Sequence, residues 1–299
     1  MRVLITGGSG FIGTRLVRRL LQASHEVTVF DLEAPRVDGV NFIRGNVTDP
    51  ATVEAAFDTN PESVVHLAAK TSVLNSIKVP KEVFETNVLA TQLLLDQARL
   101  RGTRSFVFAS TNAVVGQSDS KISERTPTLP LTPYGASKAA SEALLSAYSS
   151  SYGIVTSALR LTNVYGPEMW RKDSIIPRLF RFASGQGSFS VYGDGEQYRD
   201  YVFVDDVAAA MERAMESNQS TVVPIGSGES ISVTKLVQLV SLVTECQLAP
   251  ESLPAQPGEM RGVEIDITGA EKWGYSASVM ITEGLNLTWQ DFQTQLVRD

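Results

Sequence analysis

Along the first 160 residues the chain repeats one rhythm. A short apolar, β-branched run gives way to a longer stretch whose apolar side chains recur three or four positions apart. Runs of the first kind cover 2–6, 27–30, 41–43, 63–67, 105–109 and 154–160. They read as strands, and their nearly unbroken apolar character is that of strands covered on both faces. Helical spacing covers 14–21 (Leu16, Val17, Leu20, Leu21), 51–57, 83–100 and 134–152. Strands alternating with helices predict a parallel sheet with helices on both sides, and in such sheets ligands gather at the carboxyl ends of the strands.

Beyond residue 160 the rhythm loosens. Positions 167–190 break the alternation, 204–215 fits a helix, and 221–225 reads as a strand returning to the main sheet. A helix at 233–243, a Pro-rich loop at 250–257 and a last helix at 281–296 complete the chain. The expected division is a first domain from 1–163 with 200–225, and a smaller α/β lobe from 164–199 with 226–299.

The first 31 residues carry more than rhythm. The run Arg2-Val3-Leu4-Ile5-Thr6 empties into Gly7-Gly8-Ser9-Gly10-Phe11-Ile12-Gly13, a helical stretch follows, and the second strand ends in Asp31. Strand, glycine turn, helix, strand and acid are the layout of a dinucleotide-binding βαβ unit. Gly7 permits the sharp turn, Gly10 lets a pyrophosphate approach the backbone, and Gly13 lets the helix lie close on the sheet. The helix N-terminus then faces the phosphates. Asp31 accepts from ribose hydroxyls and repels a 2′-phosphate, which favours NAD over NADP.

Composition narrows the picture. With 299 residues the chain holds one large α/β domain, or one domain and a lobe. A net charge of −7 argues against a nucleic-acid binder. One cysteine, Cys246, and two histidines, His25 and His66, leave no disulfide framework and no convincing metal site. No apolar run reaches the length of a membrane span, and the opening residues read as a strand rather than a signal peptide, so a cytoplasmic location is expected.

Residues after each strand are the candidates for chemistry. Asn46, in Gly45-Asn46-Val47-Thr48-Asp49, suits an adenine edge, and Asp49 before Pro50 suits a helix cap. His66-Leu67-Ala68-Ala69 offers small residues over which a cofactor can pass, with His66 read as structural. Asn87 either bridges main chain beside the cofactor or faces solvent. Ser110 and Thr111 place two hydroxyls at the sheet edge. Tyr134 and Lys138 stand four apart and share a helix face. A phenol is a poor base at neutral pH, and a neighbouring ammonium together with a cationic nicotinamide is expected to lower its pKa. Thr111 would hold the same substrate oxygen.

These motifs resemble the extended short-chain dehydrogenase/reductase family, and within it the nucleotide-sugar epimerases and dehydratases. The resemblance runs essentially end to end. It includes Tyr134-Gly135-Ala136-Ser137-Lys138, Leu159-Arg160-Leu161-Thr162-Asn163-Val164-Tyr165-Gly166-Pro167 and Tyr192-Gly193-Asp194-Gly195-Glu196-Gln197-Tyr198-Arg199-Asp200. It implies a Rossmann-type doubly wound sheet with a smaller substrate lobe. It implies Tyr134 as acid/base, Lys138 on the nicotinamide ribose and Thr111 on the sugar hydroxyl. NAD would be held by Gly7, Gly10, Phe11, Ile12, Gly13, Asp31, Asn46, Val47, Leu67, Ala68, Ala69 and Asn87. Asn163 and Arg199 would hold a sugar nucleotide's diphosphate, and Arg261 is either a second clamp or a surface ion pair. A homodimer through the helices around 87–100 and 134–152 is also implied.

Some positions depart from the family. Val115 stands where tyrosine is frequent, Asn46 where aspartate is usual, and Ala90 where glycine is frequent. Asn112-Ala113 follows Thr111 where 4,6-dehydratases carry Asp-Glu, which argues against dehydration. The expected activity is C4 epimerisation of a UDP-hexose, UDP-glucose or UDP-galactose first. UDP-glucuronate is an alternative because Arg171-Lys172 suits a uronate, although a charge pair on a solvated loop is the blander reading of those residues. A ketoreductase of a nucleotide-linked deoxysugar and a silent NAD-binding regulator are the remaining rivals.

Overall fold

The apolar runs assemble into seven strands of one parallel sheet, seen in a computed structural model that describes residues 1–118, 120–255 and 262–296. The strands are β1 (Arg2–Thr6), β2 (Glu26–Asp31), β3 (Asn41–Arg44), β4 (Ser63–His66), β5 (Ser105–Thr111), β6 (Val155–Leu161) and, after an excursion described below, β10 (Thr221–Ile225). Their spatial order is β10-β6-β5-β4-β1-β2-β3. The order reverses at β1, so the β1–β4 pair marks the switch point where a parallel sheet opens a crevice at its carboxyl edge. The register Thr6↔His66 brings the last residues of those two strands side by side.

Helices α1 (Phe11–Gln22), α2 (Pro50–Phe57), α5 (Ala90–Leu100) and α6 (Pro133–Tyr152) cover the sheet, as the spacing predicts. Leu4, Phe30, Val64, Phe106 and Phe108 of the strands pack with Val53, Phe57, Leu94, Leu95 and Leu145 of α2, α5 and α6 in one buried cluster. Each such side chain removed from water contributes roughly 1.5–3 kcal/mol. Asp49 caps α2 through Ala51 N–H at 3.2 Å, and Thr132 caps α6 through Gly135 N–H at 3.2 Å. The 83–100 stretch is not one regular helix. Short helices α3 (Val73–Lys78) and α4 (Pro80–Phe84) lead into a π turn at Glu85–Leu89 before α5 begins.

The chain divides into two units. The first is Met1–Gln117, Glu124–Leu161 and Val207–Ile225; the second is Ser118–Ser123, Thr162–Asp206 and Gly226–Asp299. This corrects the expected division at three places: 118–123, 162–163 and 200–206 belong to the second unit. The reason lies in β9 (Tyr198–Phe203), which pairs not with the main sheet but with β7 (Asn163–Tyr165) and β11 (Ser230–Ser232). Another pair, β8 (Ser190–Tyr192) and β12 (Glu251–Leu253), falls partly within the expected Pro-rich loop. Helices α7 (Ile175–Ala183), α9 (Val233–Thr244), α10 (Thr268–Lys272) and α11 (Ile281–Leu296) complete this unit, while α8 (Val204–Glu216) runs from one unit into the other. Phe180 of α7 packs against Trp289 and Phe292 of α11.

Candidate active site

At the end of β1 the chain turns through Gly7, whose φ is +72°, in the region where a side chain is disfavoured. A Cβ there would lie 2.6 Å from Ala68 N, and one on Gly13 would lie 2.4 Å from Gly7 O. Both glycines are therefore required by the fold itself. Gly10 differs: a Cβ on it would meet only Gly7 O, at 3.3 Å, and would otherwise project into open space. Gly10 precedes α1 and provides no side-chain cap, so the helix opens with its N–H groups at the sheet edge. Phe11 and Ile12 form the first turn. The Asp31 carboxylate accepts from Ser9 N at 3.0 Å and from Glu33 N at 3.2 Å, which latches the glycine loop to the end of β2.

Thr6 Oγ1 lies 2.7 Å from His66 Nδ1, and Thr91 Oγ1 lies 3.1 Å from His66 Nε2. Burial pulls the imidazole down to about 3, aided by the Lys138 charge. His66 is thus a neutral structural residue, as expected. Leu67, Ala68 and Ala69 follow it, each half-buried along the crevice. Val47 is buried beside exposed Asn46, whose Oδ1 accepts from Thr48 N at 3.1 Å. A cavity of about 670 Å³ adjoins this edge, lined by Asn46, Thr48, Lys70, Thr86, Ala90 and Leu93 among others.

Asn87 sits inside the π turn and is buried. Its Oδ1 accepts from Lys70 N at 2.8 Å, and its Nδ2 donates to Lys70 O and Ser137 Oγ, both at 3.0 Å. Both amide protons are committed to protein. Asn87 therefore bridges main chain, the first of its two expected placements, as a strut that ties the segment after Ala69 to α6.

Thr111 closes β5, and its Oγ1 accepts from Ala113 N at 3.2 Å, capping a short 3-10 turn at Asn112–Val114. Tyr134, buried on the first turn of α6, lies close enough to the Thr111 side chain for that hydroxyl to act on the phenol. Tight packing permits this: a Cβ on Gly135 would meet Ala113 O at 2.4 Å, so only glycine lets α6 come so near the 3-10 turn.

One turn further on, Lys138 is 2% exposed and its Nζ donates to Ala109 O at 2.7 Å, lying over the Phe108 ring at 4.4 Å. Burial pulls this ammonium down to about 7, opposed by the Glu142 carboxylate. Burial pushes the Tyr134 phenol up, opposed by the Thr111 hydrogen bond. Burial thus opposes the lowering expected from the amine together with a cationic nicotinamide. Both groups are withdrawn from water, and low dielectric favours the uncharged form of each.

In the second unit Asn163 begins β7, exposed, with Nδ2 donating to Asp200 O at 3.0 Å. Arg199 lies on β9, where its Nη1 donates to Tyr198 O at 2.8 Å. Asn163 is registered with Tyr201, so Asn163 and Arg199 lie on neighbouring strands. Arg261 lies outside the described residues. Arg171 is exposed and stacks over Trp170 at 4.4 Å, which gives it a local role on its loop. Val115 is buried, and no group of three or more metal-ligating side chains occurs among the described residues.

The sequence pattern passes over Ser137, which links Asn87 to the Tyr134 carbonyl at 2.7 Å, and over Glu142. The available signal was spacing: Ser137, Lys138, Ser141 and Glu142 fall one turn apart on the buried side of an otherwise plain helix.

Known proteins share this fold. The UDP-glucose 4-epimerase of Mycolicibacterium smegmatis is 32% identical over 311 aligned positions, covering 99% of each chain. A UDP-glucose 4-epimerase of Thermotoga maritima, crystallised with UDP-glucose, superposes with a TM-score of 0.92 at 32% identity, over 99% of this chain and 100% of that one. The UDP-glucose 4-epimerase of Thermus thermophilus, in complex with NAD, gives 0.89 at 36% identity over 98% and 99%. The sequence profile of the NAD dependent epimerase/dehydratase family matches residues 3–226, from β1 to the end of the main sheet. On these grounds the chain belongs to the NAD dependent epimerase/dehydratase family.

Proposed function

We propose that this chain is an NAD-dependent 4-epimerase of a UDP-hexose, with UDP-glucose and UDP-galactose as the interconverted pair. The observation that carries the reading is the placement of Thr111 at the end of β5 beside buried Tyr134, one helical turn from a buried lysine whose Nζ donates to the Ala109 carbonyl. The cofactor fits on structural grounds. The space in front of Gly10 is open where a side chain would project, α1 opens without a side-chain cap, and Asp31 stands at the end of β2 for the ribose. Bound NAD supplies the hydride acceptor and a positive ring charge that favours the Tyr134 phenolate.

The remaining work falls to the chain's own residues. Tyr134 Oη takes the proton of the sugar's C4 hydroxyl and returns it after the ketone has turned over. Thr111 fixes the phenol and shares the sugar oxygen. Lys138 holds the ribose edge, its Nζ already oriented by the Ala109 carbonyl. In the second unit, Asn163 and Arg199 are the residues suited to the diphosphate: an amide donates to its oxygens and a guanidinium forks onto them. Asn112-Ala113 beside Thr111 offers no acid to expel water from the sugar, which supports epimerisation over dehydration.

The test is to incubate the purified protein with UDP-galactose, UDP-glucose or UDP-glucuronate without added cofactor, following the sugars by NMR. Interconversion of the neutral pair at retained NAD is the expected result. Turnover only with supplied NADH, or of the uronate alone, would replace this substrate assignment.

A further inference from the structure

Beneath the Thr111–Tyr134 pair lies a charged cluster that these roles leave unused. Glu142 is 7% exposed and Arg160 is 4% exposed. Arg160 Nη2 donates to Glu142 Oε2 at 2.8 Å and Nε donates to Oε1 at 3.0 Å. The Ser110 hydroxyl donates to the same Oε1. Ser110 and Arg160 are register partners on β5 and β6, so the carboxylate on α6 grips two neighbouring strands at one point.

Ser110 sits between the two residues that matter most at this edge. On one side is Ala109, whose carbonyl receives Lys138 Nζ; on the other is Thr111, which meets Tyr134. Lys138 itself lies four residues before Glu142 on the same helix, with both side chains buried. The charged groups here are Lys138 and Glu142 from α6 and Arg160 from β6, with His66 of β4 neutral and Phe108 of β5 under the ammonium. Arg160 is ion-paired to the carboxylate while Lys138 stands one helical turn from it on the same buried face, and Arg160 Nη1 is buried without a hydrogen-bond partner.

We propose that Glu142 is a positioning residue for Lys138 and Thr111: its one carboxylate pins the end of β5 to α6 and divides its charge between Lys138 and Arg160. The proposal rests on the roles given above to Lys138 and Thr111. Its consequence is a charge balance with a definite sign. Neutralising Glu142 withdraws support from the Lys138 cation, whereas neutralising Arg160 leaves the whole carboxylate to Lys138. A purely structural role disturbs the same packing in both variants and has no reason to move Lys138 in opposite directions.

The eight lysines can be followed by NMR of ¹³C-labelled side chains across pH, with Lys138 assigned from its loss in Lys138→Met. Glu142→Gln is expected to lower the Lys138 midpoint by about one pH unit or more, and Arg160→Gln to raise it by a similar amount. The double variant is expected to return to within about half a unit of the unchanged protein. Shifts of the same sign in both single variants, or no shift in either, overturn the proposal. If Glu142→Gln does not fold, Arg160→Gln decides alone: a rise supports the proposal, and a fall or no change overturns it. The titration needs no substrate, so its failure and a failure of the epimerase assignment are separate results.

Discussion

The 7–13 loop and the β5–α6 seam lie at the carboxyl edge of the same sheet, yet they share almost no chemistry. In the loop, function comes from atoms that are missing: Gly7 and Gly13 have no room for a Cβ, and Gly10 leaves the space in front of it open. In the seam, function comes from buried polar groups: a phenol, a hydroxyl, an amine and a carboxylate–guanidinium pair held among Phe108 and the backbone of β5. The loop presents backbone N–H dipoles, which burial hardly alters. The seam presents groups whose protonation burial controls, raising Tyr134 and lowering Lys138. One edge therefore sets a backbone cradle beside a cluster of titratable side chains.

The sharpest way to break the contrast is Tyr134→Phe. It removes one oxygen from the seam and nothing from the loop. Turnover is expected to fall by about 10³-fold, as loss of a general acid–base does, while NAD released on denaturing the protein stays at its original amount. Near-full activity would remove Tyr134 from the mechanism.

The next effect is in the loop, where Gly10→Ala and Gly13→Ala should part company. The Gly13 variant forces a Cβ against backbone at 2.4 Å and is expected to cost about 2 kcal/mol in urea denaturation. The Gly10 variant meets only one carbonyl, at 3.3 Å, so the fold should hold to within about 0.5 kcal/mol. Its NAD affinity, read by fluorescence titration, should nevertheless drop about tenfold. Equal stability losses in the two would show that the cradle is packing rather than a binding surface.

The smallest effect sharpens the electrostatic side. Folded His66 takes its proton only near pH 3, whereas an unfolded histidine does so near 6.5. Between those values the unfolded chain binds more protons, so stability is fully present above about pH 6.5 and is lost as pH falls toward 3. The slope from this one group is at most about 1.4 kcal/mol per pH unit. In His66→Asn, urea midpoints between pH 4 and 6.5 should therefore depend less on pH than in the unchanged protein. An undiminished slope would show that the imidazole is not held neutral.

Much of the first unit can be read from residue types because its strands are buried on both faces and announce themselves as apolar runs. The glycine turn is legible for a related reason: its spacing between a strand and a helix, with an acid ending the next strand, is a pattern with few physical uses. The second unit is quieter. Three-residue strands such as β7, β8, β11 and β12 are too short for a period of two to register. β9 is buried over its last four residues and runs straight into α8, so pattern alone does not separate 200–206 from the helix that follows. The π turn at Glu85–Leu89 has no glycine or proline in the 83–100 stretch to announce it. Glu142 shows that a buried charge is invisible when its partners, Ser110 and Arg160, come from two strands well removed from it in sequence.

The Asp31 latch has a bearing on redesign. Retooling such a protein for a phosphorylated cofactor ordinarily begins by exchanging the acid behind the second strand for a neutral or basic residue. Here that acid also holds Ser9, and Ser9 Oγ in turn donates to Glu33 O at 2.6 Å. The exchange would release the segment that carries Gly10 as well as admit the new phosphate. A successful swap needs a second substitution that restores an acceptor for Ser9 N–H, so here cofactor preference and loop order have to be engineered together.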